Sequence, residues 1–236
     1  MLHAGAAEKL AGRLTWATQF MFYKLGRAMI RPIYDQKRSK TGTISRQLRA
    51  ALQWWLYILD AGICEEHPWE APETPLLHLF VDARGEPARC AAVLFSEEGC
   101  FYTDGKPSAA IMAKLTCRKD SQIMALEQIA IALGLGTFAD KLRHRKVVLY
   151  SDNKAAEAAT VRGSAKCWDH CSIVHQTWAA AALNHTHVWI ERVPSKFNIS
   201  DSPSREEYDL LLELGAVRCE PRIIKDFLCQ PGLAEI

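Results

Sequence analysis

Apolar positions recur at helical spacing through the first part of the chain. Leu10, Leu14, Ala17, Phe20, Met21 and Leu25 fall on one stripe and predict a helix. A second helix is predicted from Ile44 to Ala61. Ser45 suits its N-cap, Gly62 follows its end, and Leu48, Leu52, Trp55, Leu56 and Leu59 form its apolar face. The stretch from Arg31 to Arg49 between them carries Arg31, Lys37, Arg38, Lys40, Arg46 and Arg49 against one acid, Asp35. Its centre, Lys37 to Gly42, reads as a loop. Residues 67–75 then hold Pro68, Pro72 and Pro75, too many to continue a helix or a central strand.

After residue 75 the period changes. Leu76 to Ala83 is a largely apolar run with Asp82 near its end, as in a buried strand. Cys90 to Phe95 and Cys100 to Thr103 read as two further strands joined by the turn Ser96-Glu97-Glu98-Gly99. A helix is predicted over Ser121 to Leu135, a strand over Val147 to Tyr150, and helices over Asn153 to Val161 and Trp168 to Leu183. A fifth strand, Thr186 to Val193, and a last helix, Pro203 to Leu214 with Gly215 as its stop, complete the series. The order β-β-β-α-β-α-α-β-α calls for an α/β domain: a three-stranded meander, then crossovers that make a mixed five-stranded sheet, partly parallel and flanked by helices. The predicted organisation is a small helical segment at 1–66, a Pro-rich linker at 67–75, the α/β domain at 76–216 and a C-terminal tail at 217–236.

Composition narrows the function classes. Twenty-nine Lys and Arg stand against 27 Asp and Glu, so the net charge of +2 describes no polycation, and any nucleic-acid contact must come from local clusters. Hydrophobic residues make up 49%, enough for a core and too many for a disordered chain. No apolar stretch approaches the roughly 20 residues of a membrane span. The eight cysteines are scattered without a CxxC pair, and the first residues lack a charged head followed by an apolar run. Reduced thiols in the cytoplasm or nucleus are expected.

Four carboxylates stand at element ends. Asp82 closes an apolar strand, where a charge is costly unless paired or bound to a metal. Asp152 directly follows another apolar strand. If the first and fourth strands are parallel neighbours, the two emerge side by side, and a divalent cation is the usual remedy for their repulsion. Glu127 is the one acid on a helix face shared with Met124, Ala130 and Ile131, and Asp201 follows the fifth strand. Taken singly, each has a plainer reading: a turn residue, a helix cap for Asp201, an ion pair for Glu127.

Taken together, Leu79-Phe80-Val81-Asp82-Ala83, Ala125-Leu126-Glu127, Tyr150-Ser151-Asp152-Asn153 and the segment from Val193 to Arg205 resemble the ribonuclease H domain of retroelement reverse transcriptases. The most specific piece is Pro194-Ser195-Lys196-Phe197-Asn198-Ile199-Ser200-Asp201-Ser202-Pro203-Ser204-Arg205, which resembles the retrotransposon branch, gypsy-like and DIRS-like elements included. The resemblance covers about residues 76–216. Leu10-Ala11-Gly12-Arg13-Leu14 and Leu52-Gln53-Trp54-Trp55-Leu56 are similar to the helical segment that joins polymerase to ribonuclease H in such polyproteins.

The resemblance implies a ribonuclease H-like fold and a metal-dependent endonuclease that hydrolyses the RNA strand of RNA–DNA hybrids. Asp82, Glu127, Asp152 and Asp201 would be its catalytic, metal-binding acids. Two Mg²⁺ ions, with Mn²⁺ as the substitute, suit a site of oxygen donors without Cys or His. The partners implied are the hybrid itself and a polymerase domain in a longer polyprotein, with no membrane. Lys154, Lys196 and Arg205 lie beside the expected ligands and are the expected contacts to substrate phosphates. Two departures stand out. Many ribonucleases H have a His shortly before the last Asp, where this chain reads Val193-Pro194-Ser195-Lys196, and no Tyr-x-Asp-Asp polymerase centre occurs. These departures favour the alternative, a catalytically inactive nucleic-acid-binding or scaffold module that kept the fold. A proofreading-type exonuclease would need Asp-x-Glu in the first strand, where position 84 is Arg.

Other groups carry weaker chemistry. Cys167, Cys171 and His175 recur every four residues beside His170 and could hold zinc, although ligands from two elements are the norm. His185 and His187 straddle a strand start. The Arg31–Arg49 and Lys141–Lys146 clusters could meet phosphates. Trp54, Trp55 and Trp69 could stack on bases, with Trp55 expected to face inward.

Overall fold

Leu77, Leu79, Val81 and Ala83 alternate into one buried face and make the strand β1, Leu77–Arg84, the centre of the molecule. The computed structural model describes residues 1–22, 24–39, 41–62, 73–117, 119 and 122–222. Antiparallel to β1 runs β2 (Arg89–Ser96), followed by β3 (Gly99–Gly105). On the other side of β1 lie β4 (Lys146–Ser151) and β5 (His187–Arg192), both parallel to it. A short β6 (Val217–Arg218) pairs parallel with β3, which gives the order β5-β4-β1-β2-β3-β6. The sheet therefore has six strands where the pattern predicted five. Two residues are too few to show a period, and β6 falls in the segment expected to be a tail.

The register answers the question of the strand ends. Phe80 pairs with Tyr150 in the parallel β1–β4 ladder. Two residues further along each strand are Asp82 and Asp152, so both acids leave the sheet at the same edge.

In the N-terminal segment there are three helices, α1 (Ala4–Ala17), α2 (Arg27–Lys37) and α3 (Arg46–Ala61). The sequence pattern predicted two. The missed α2 holds Pro32, which breaks helix propensity, and much of its polar surface reads as loop. It forms because Ala28, Met29, Ile30 and Ile33 are all buried against the neighbouring helices. The first helix stops at Ala17. Met21 and Leu25 are buried from the turns that follow it, and Phe20 is exposed. In α3 the Ser45 hydroxyl caps the Leu48 N–H at 3.1 Å and Gly62 ends the helix in the left-handed region, as expected. The buried face is rotated from the expected one: Leu48, Ala51, Trp54, Trp55 and Ile58 face inward, while Leu56 and Leu59 are exposed. Two indoles bury more area than two leucines and set the face. Trp54 and Trp55 are each 2% exposed, which withdraws Trp54 as a base-stacking platform. Trp69, most of the expected linker, Lys40 and Ser121 lie outside the described residues.

Two short helices, α4 (Ala109–Met112) and α6 (Ala139–Leu142), flank α5 (Ile123–Thr137), which the periodicity located to within two residues. It is apolar nearly all round because it lies between the sheet and α8 (Trp168–Leu183). Gly134 permits that closeness: a Cβ there would stand 3.1 Å from Ala92 and 3.2 Å from Leu79. Helix α7 (Lys154–Arg162) follows β4. The expected last helix is two pieces, α9 (Asp201–Ser204) and α10 (Asp209–Glu213), separated by a turn in which Glu206 takes φ 66°. These pieces and Ile199 cover the Phe80 face of the sheet. The three N-terminal helices dock on the far side of α8, where Ala179 joins their core. None of the described helices is long and apolar enough to cross a membrane.

Candidate functional site

Three elements deliver carboxylates to the end of β1. Asp82 ends the apolar run of that strand. Asp152 follows the last residue of β4, and the chain then turns immediately: Asn153 accepts from the backbone N–H groups of Ala155 and Ala156, each at 3.0 Å, and caps α7. Glu127 comes from α5, on the opposite face from α9. The three side chains bring ligand oxygens within 4.8 Å of one another. Asp82 and Glu127 are 5% and 4% exposed.

Such crowding shifts protonation. Burial, reinforced by the Asp82 and Asp152 carboxylates, pushes Glu127 up to about 9. The backbone N–H of Ala83 donates to the Glu127 carboxylate and offsets part of this. Its Oε2 is buried without a hydrogen-bond partner among the described residues. Burial likewise raises Asp82 to about 6, with the Ser204 hydroxyl opposing and the charges of Asp152 and Asp201 adding. A buried carboxylate oxygen with no donor, facing two more carboxylates, is the environment a hard divalent cation satisfies. No basic side chain makes a salt bridge to Asp82, Glu127 or Asp152 among the described residues, so the ion-pair reading of Glu127 finds no partner.

The fourth acid stands apart from this group. Asp201 is the first residue of α9, with Ser200 before it, so it does not serve as the cap. Its charge is felt at both Asp82 and Glu127, yet its own carboxylate is held by Arg205, whose Nε lies 2.9 Å from each oxygen. What fixes this loop is Asn198. Its Nδ2 donates to the Val81 carbonyl at 3.0 Å, and its Oδ1 accepts from Ser200 at 2.6 Å. Asn198 was legible in the sequence only as part of the Pro-Ser-x-x-Asn-x-x-Asp pattern, without a role. Ser204, 1% exposed, donates to the Asp201 carbonyl at 2.8 Å and lies against Asp82.

A second polar network anchors the turn after α9. Asp104 on β3 accepts from the Tyr208 hydroxyl at 3.0 Å and pairs with Arg89 at 3.1 Å. Arg89 also pairs with Glu206 at 2.8 Å, and Arg84 meets the same carboxylate at 3.1 Å. None of these residues except Arg84 was singled out from the sequence, because acids and bases in exposed-looking strands and turns carry no pattern of their own.

Lys154, Lys196 and Arg205 are all exposed, and the Lys196 ammonium sits 4.7 Å from the centre of the Phe197 ring. The cysteine and histidine stripe of α8 does not converge. Cys171 is buried and donates to the Ala165 carbonyl, Cys167 is exposed, and His175 packs on Trp54. Among the described residues the acidic trio is the one group of three or more side chains able to share an ion. His185 precedes β5 and stacks on His144 at 4.9 Å.

Comparison with known proteins finds structural similarity but no sequence relative. No family model and no curated protein sequence matches the chain. The chain is similar in structure to RNase H1 from the halophilic archaeon Halobacterium salinarum NRC-1, at 17% identity and a TM-score of 0.43, over 57% of this chain and 98% of that one. It is also similar to the N-terminal RNase H domain of a Mycobacterium tuberculosis protein, solved as a fusion with maltose-binding protein. There the identity is 17% and the TM-score 0.42, over 57% of this chain and 100% of that one. In this chain the mixed sheet, in the order β5-β4-β1-β2-β3-β6, is flanked by helices and carried behind a helical segment.

Proposed function

We propose that this protein is a divalent-cation-dependent endonuclease that hydrolyses the RNA strand of RNA–DNA hybrids and derives from a retroelement reverse transcriptase polyprotein. The observation that carries the chemistry is the convergence of Asp82, Glu127 and Asp152 within 4.8 Å, with one Glu127 oxygen buried and unpartnered. The choice of hybrid and the retroelement origin rest on the resemblance of the motif residues, above all the Asn198 to Arg205 stretch.

Asp82, Glu127 and Asp152 would hold Mg²⁺ or Mn²⁺, with Asp201 completing the set for a second ion. Bound there, such ions supply the Lewis acidity that an in-line phosphodiester displacement needs. The chain's own contribution is placement. Strands β1 and β4 set Asp82 and Asp152 in register, α5 brings Glu127 over the strand end, and Asn198 ties the Asp201 loop to β1. The exposed Lys154, Lys196 and Arg205 would bind strand phosphates as point charges or, for Arg205, as a fork. The same reading divides the chain into a connection-like helical segment (1–66), a linker (67–75), the ribonuclease H-like domain (76–216) and a tail (217–236), of which β6 is part of the sheet. A polymerase domain in a longer polyprotein is its expected partner. The free thiols of all six described cysteines accord with a cytoplasmic or nuclear setting.

One observation favours the alternative reading, an inactive nucleic-acid-binding or scaffold module: Asp201 lies outside the carboxylate trio and is paired to Arg205. A cleavage assay separates the two. Labelled RNA–DNA hybrid is incubated with the protein in Mg²⁺ or Mn²⁺, beside single-stranded RNA and double-stranded DNA. Cleavage of the hybrid's RNA strand that vanishes in Asp82→Asn is the expected result. No cleavage with either ion at any salt concentration establishes the scaffold reading, and cleavage that survives Asp82→Asn removes these acids from the chemistry.

A further inference from the structure

Of the four acids at this edge of the sheet, Asp201 alone has a basic partner among the described residues. Arg205, one turn further along, spans both its oxygens through Nε. The pair is open to solvent, with side-chain exposures of 57% for Arg205 and 37% for Asp201. Exposed pairs at this spacing are held weakly and give way to a stronger competitor. The positive charge of Arg205 reaches Asp82 as well as Asp201. It therefore stands beside the carboxylate trio as an internal cation. A guanidinium has five N–H donors in a rigid fork. Nε serves Asp201, and the four N–H groups of Nη1 and Nη2 make no hydrogen bond to the described residues.

Resting on the reading of these acids as a divalent-cation site, we infer that Arg205 competes with the cation for Asp201. In the ion-free protein it neutralises Asp201. Once an ion takes that carboxylate, the released guanidinium binds a phosphate of the nucleic-acid strand. Arg205 thereby couples ion loading to strand binding, and it sets the ion concentration at which the fourth acid joins the site. A merely structural Arg205, closing one turn of α9, would leave ion affinity unchanged or weaken it on removal.

The test is a calorimetric titration with Mn²⁺ alone on the full chain, for the wild type, Arg205→Gln, Asp201→Asn and the double variant. Melting curves confirm that each is folded, and Arg205→Lys, which keeps the charge without the fork, supplies a milder change at the same site. Arg205→Gln is expected to bind Mn²⁺ about two- to fivefold tighter, the penalty that breaking one exposed ion pair imposes on the wild type. Arg205→Lys should fall between the two. In the Asp201→Asn background the gain should disappear, because no carboxylate is left to contest. At saturating Mn²⁺, Arg205→Gln should raise KM for the hybrid more than it lowers kcat. Unchanged Mn²⁺ affinity in Arg205→Gln, a full gain that persists without Asp201, or an unchanged KM overturns the inference. If the wild type shows no Mn²⁺ binding that Asp82→Asn removes, the site reading fails and this inference with it. If the wild type binds but Arg205→Gln matches it, only the role of Arg205 falls.

Discussion

The side-chain amide of Asn198 donates to the main-chain carbonyl of Val81 across 3.0 Å, joining positions 117 apart in the chain. Val81 precedes Asp82, and Asn198 precedes Asp201 by three residues. One hydrogen bond therefore sets the distance between the loop and the strand that carry two of the four acids. Asn198 is 4% exposed, so its loss leaves a buried carbonyl and a buried Ser200 hydroxyl without partners. Asn198→Ala should cost about 1–3 kcal/mol in denaturant unfolding. Hybrid cleavage should fall by more than the folded fraction does. Asn198→Ala cleavage that simply tracks the folded fraction would separate this bond from the placement of Asp201.

Glu127 makes a second prediction, about stability without ions. Its carboxylate is buried between two others, and Oε2 has no donor. Burial holds the proton on Glu127 up to about pH 9 in the folded chain, whereas the unfolded chain releases it near 4.5, so at neutral pH this acid costs stability that an amide does not. In EDTA at neutral pH, Glu127→Gln should melt a few degrees above the wild type, the scale that about 1 kcal/mol gives a chain of this size. Added Mg²⁺ or Mn²⁺ should raise the wild-type melting temperature and leave Glu127→Gln nearly unmoved. Thermal melts with and without the ion read both effects. An equal ion-induced rise in both proteins would place the ion away from Glu127.

The two predictions mark what was legible in the sequence. Asp82 and Asp152 could be placed together because each ends an apolar strand, and strand ends in a crossover topology share an edge. The register, Phe80 opposite Tyr150, is what that pattern required. Glu127 was legible as a lone acid in an apolar helix. The N-terminal segment was less legible. Pro32 and the charges around it hid α2, whose burial depends on contacts distant in sequence. The α3 face was misplaced because Leu56 and Leu59 score as core residues, yet Trp54 wins the inward position. The split between α9 and α10 was hidden as well. It depends on Glu206 reaching Arg84 and Arg89, a match that no local pattern encodes.

That match yields a third prediction. Asp104 is 1% exposed and is the acceptor for Arg89 and the Tyr208 hydroxyl. Asp104→Ala removes the acceptor shared by Arg89, Arg218 and the Tyr208 hydroxyl, and leaves Arg89 with Glu206 alone. It should destabilise the protein by about 3–5 kcal/mol, the cost of breaking a buried charge pair. Tyr208→Phe, which loses one hydrogen bond to a charged group, should cost about 1.5–3 kcal/mol. Urea unfolding distinguishes the two sizes. Equal costs would show that Asp104 matters only as the acceptor of the Tyr208 hydroxyl.

His175 ties the N-terminal helices to the rest of the chain through protonation. It lies on α8, 1% exposed, with its ring edge-on to Trp54 at 4.9 Å, and neither ring nitrogen has a hydrogen-bond partner among the described residues. Burial favours the neutral ring and lowers His175 to about 3 from its ordinary 6.5. The unfolded chain therefore binds this proton more readily than the folded one. The stability linked to His175 is complete above pH 6.5 and is lost progressively as pH falls toward about 3. His175→Leu abolishes that dependence. Its unfolding free energy should decline less than the wild type's between pH 6.5 and pH 4, and the difference between the two proteins should grow steadily across that interval. Denaturant unfolding followed by circular dichroism across this pH range is the natural measurement. Parallel pH profiles for the two proteins would show that the interface between α3 and α8 tolerates a charged ring, and that the acid sensitivity of the fold resides elsewhere.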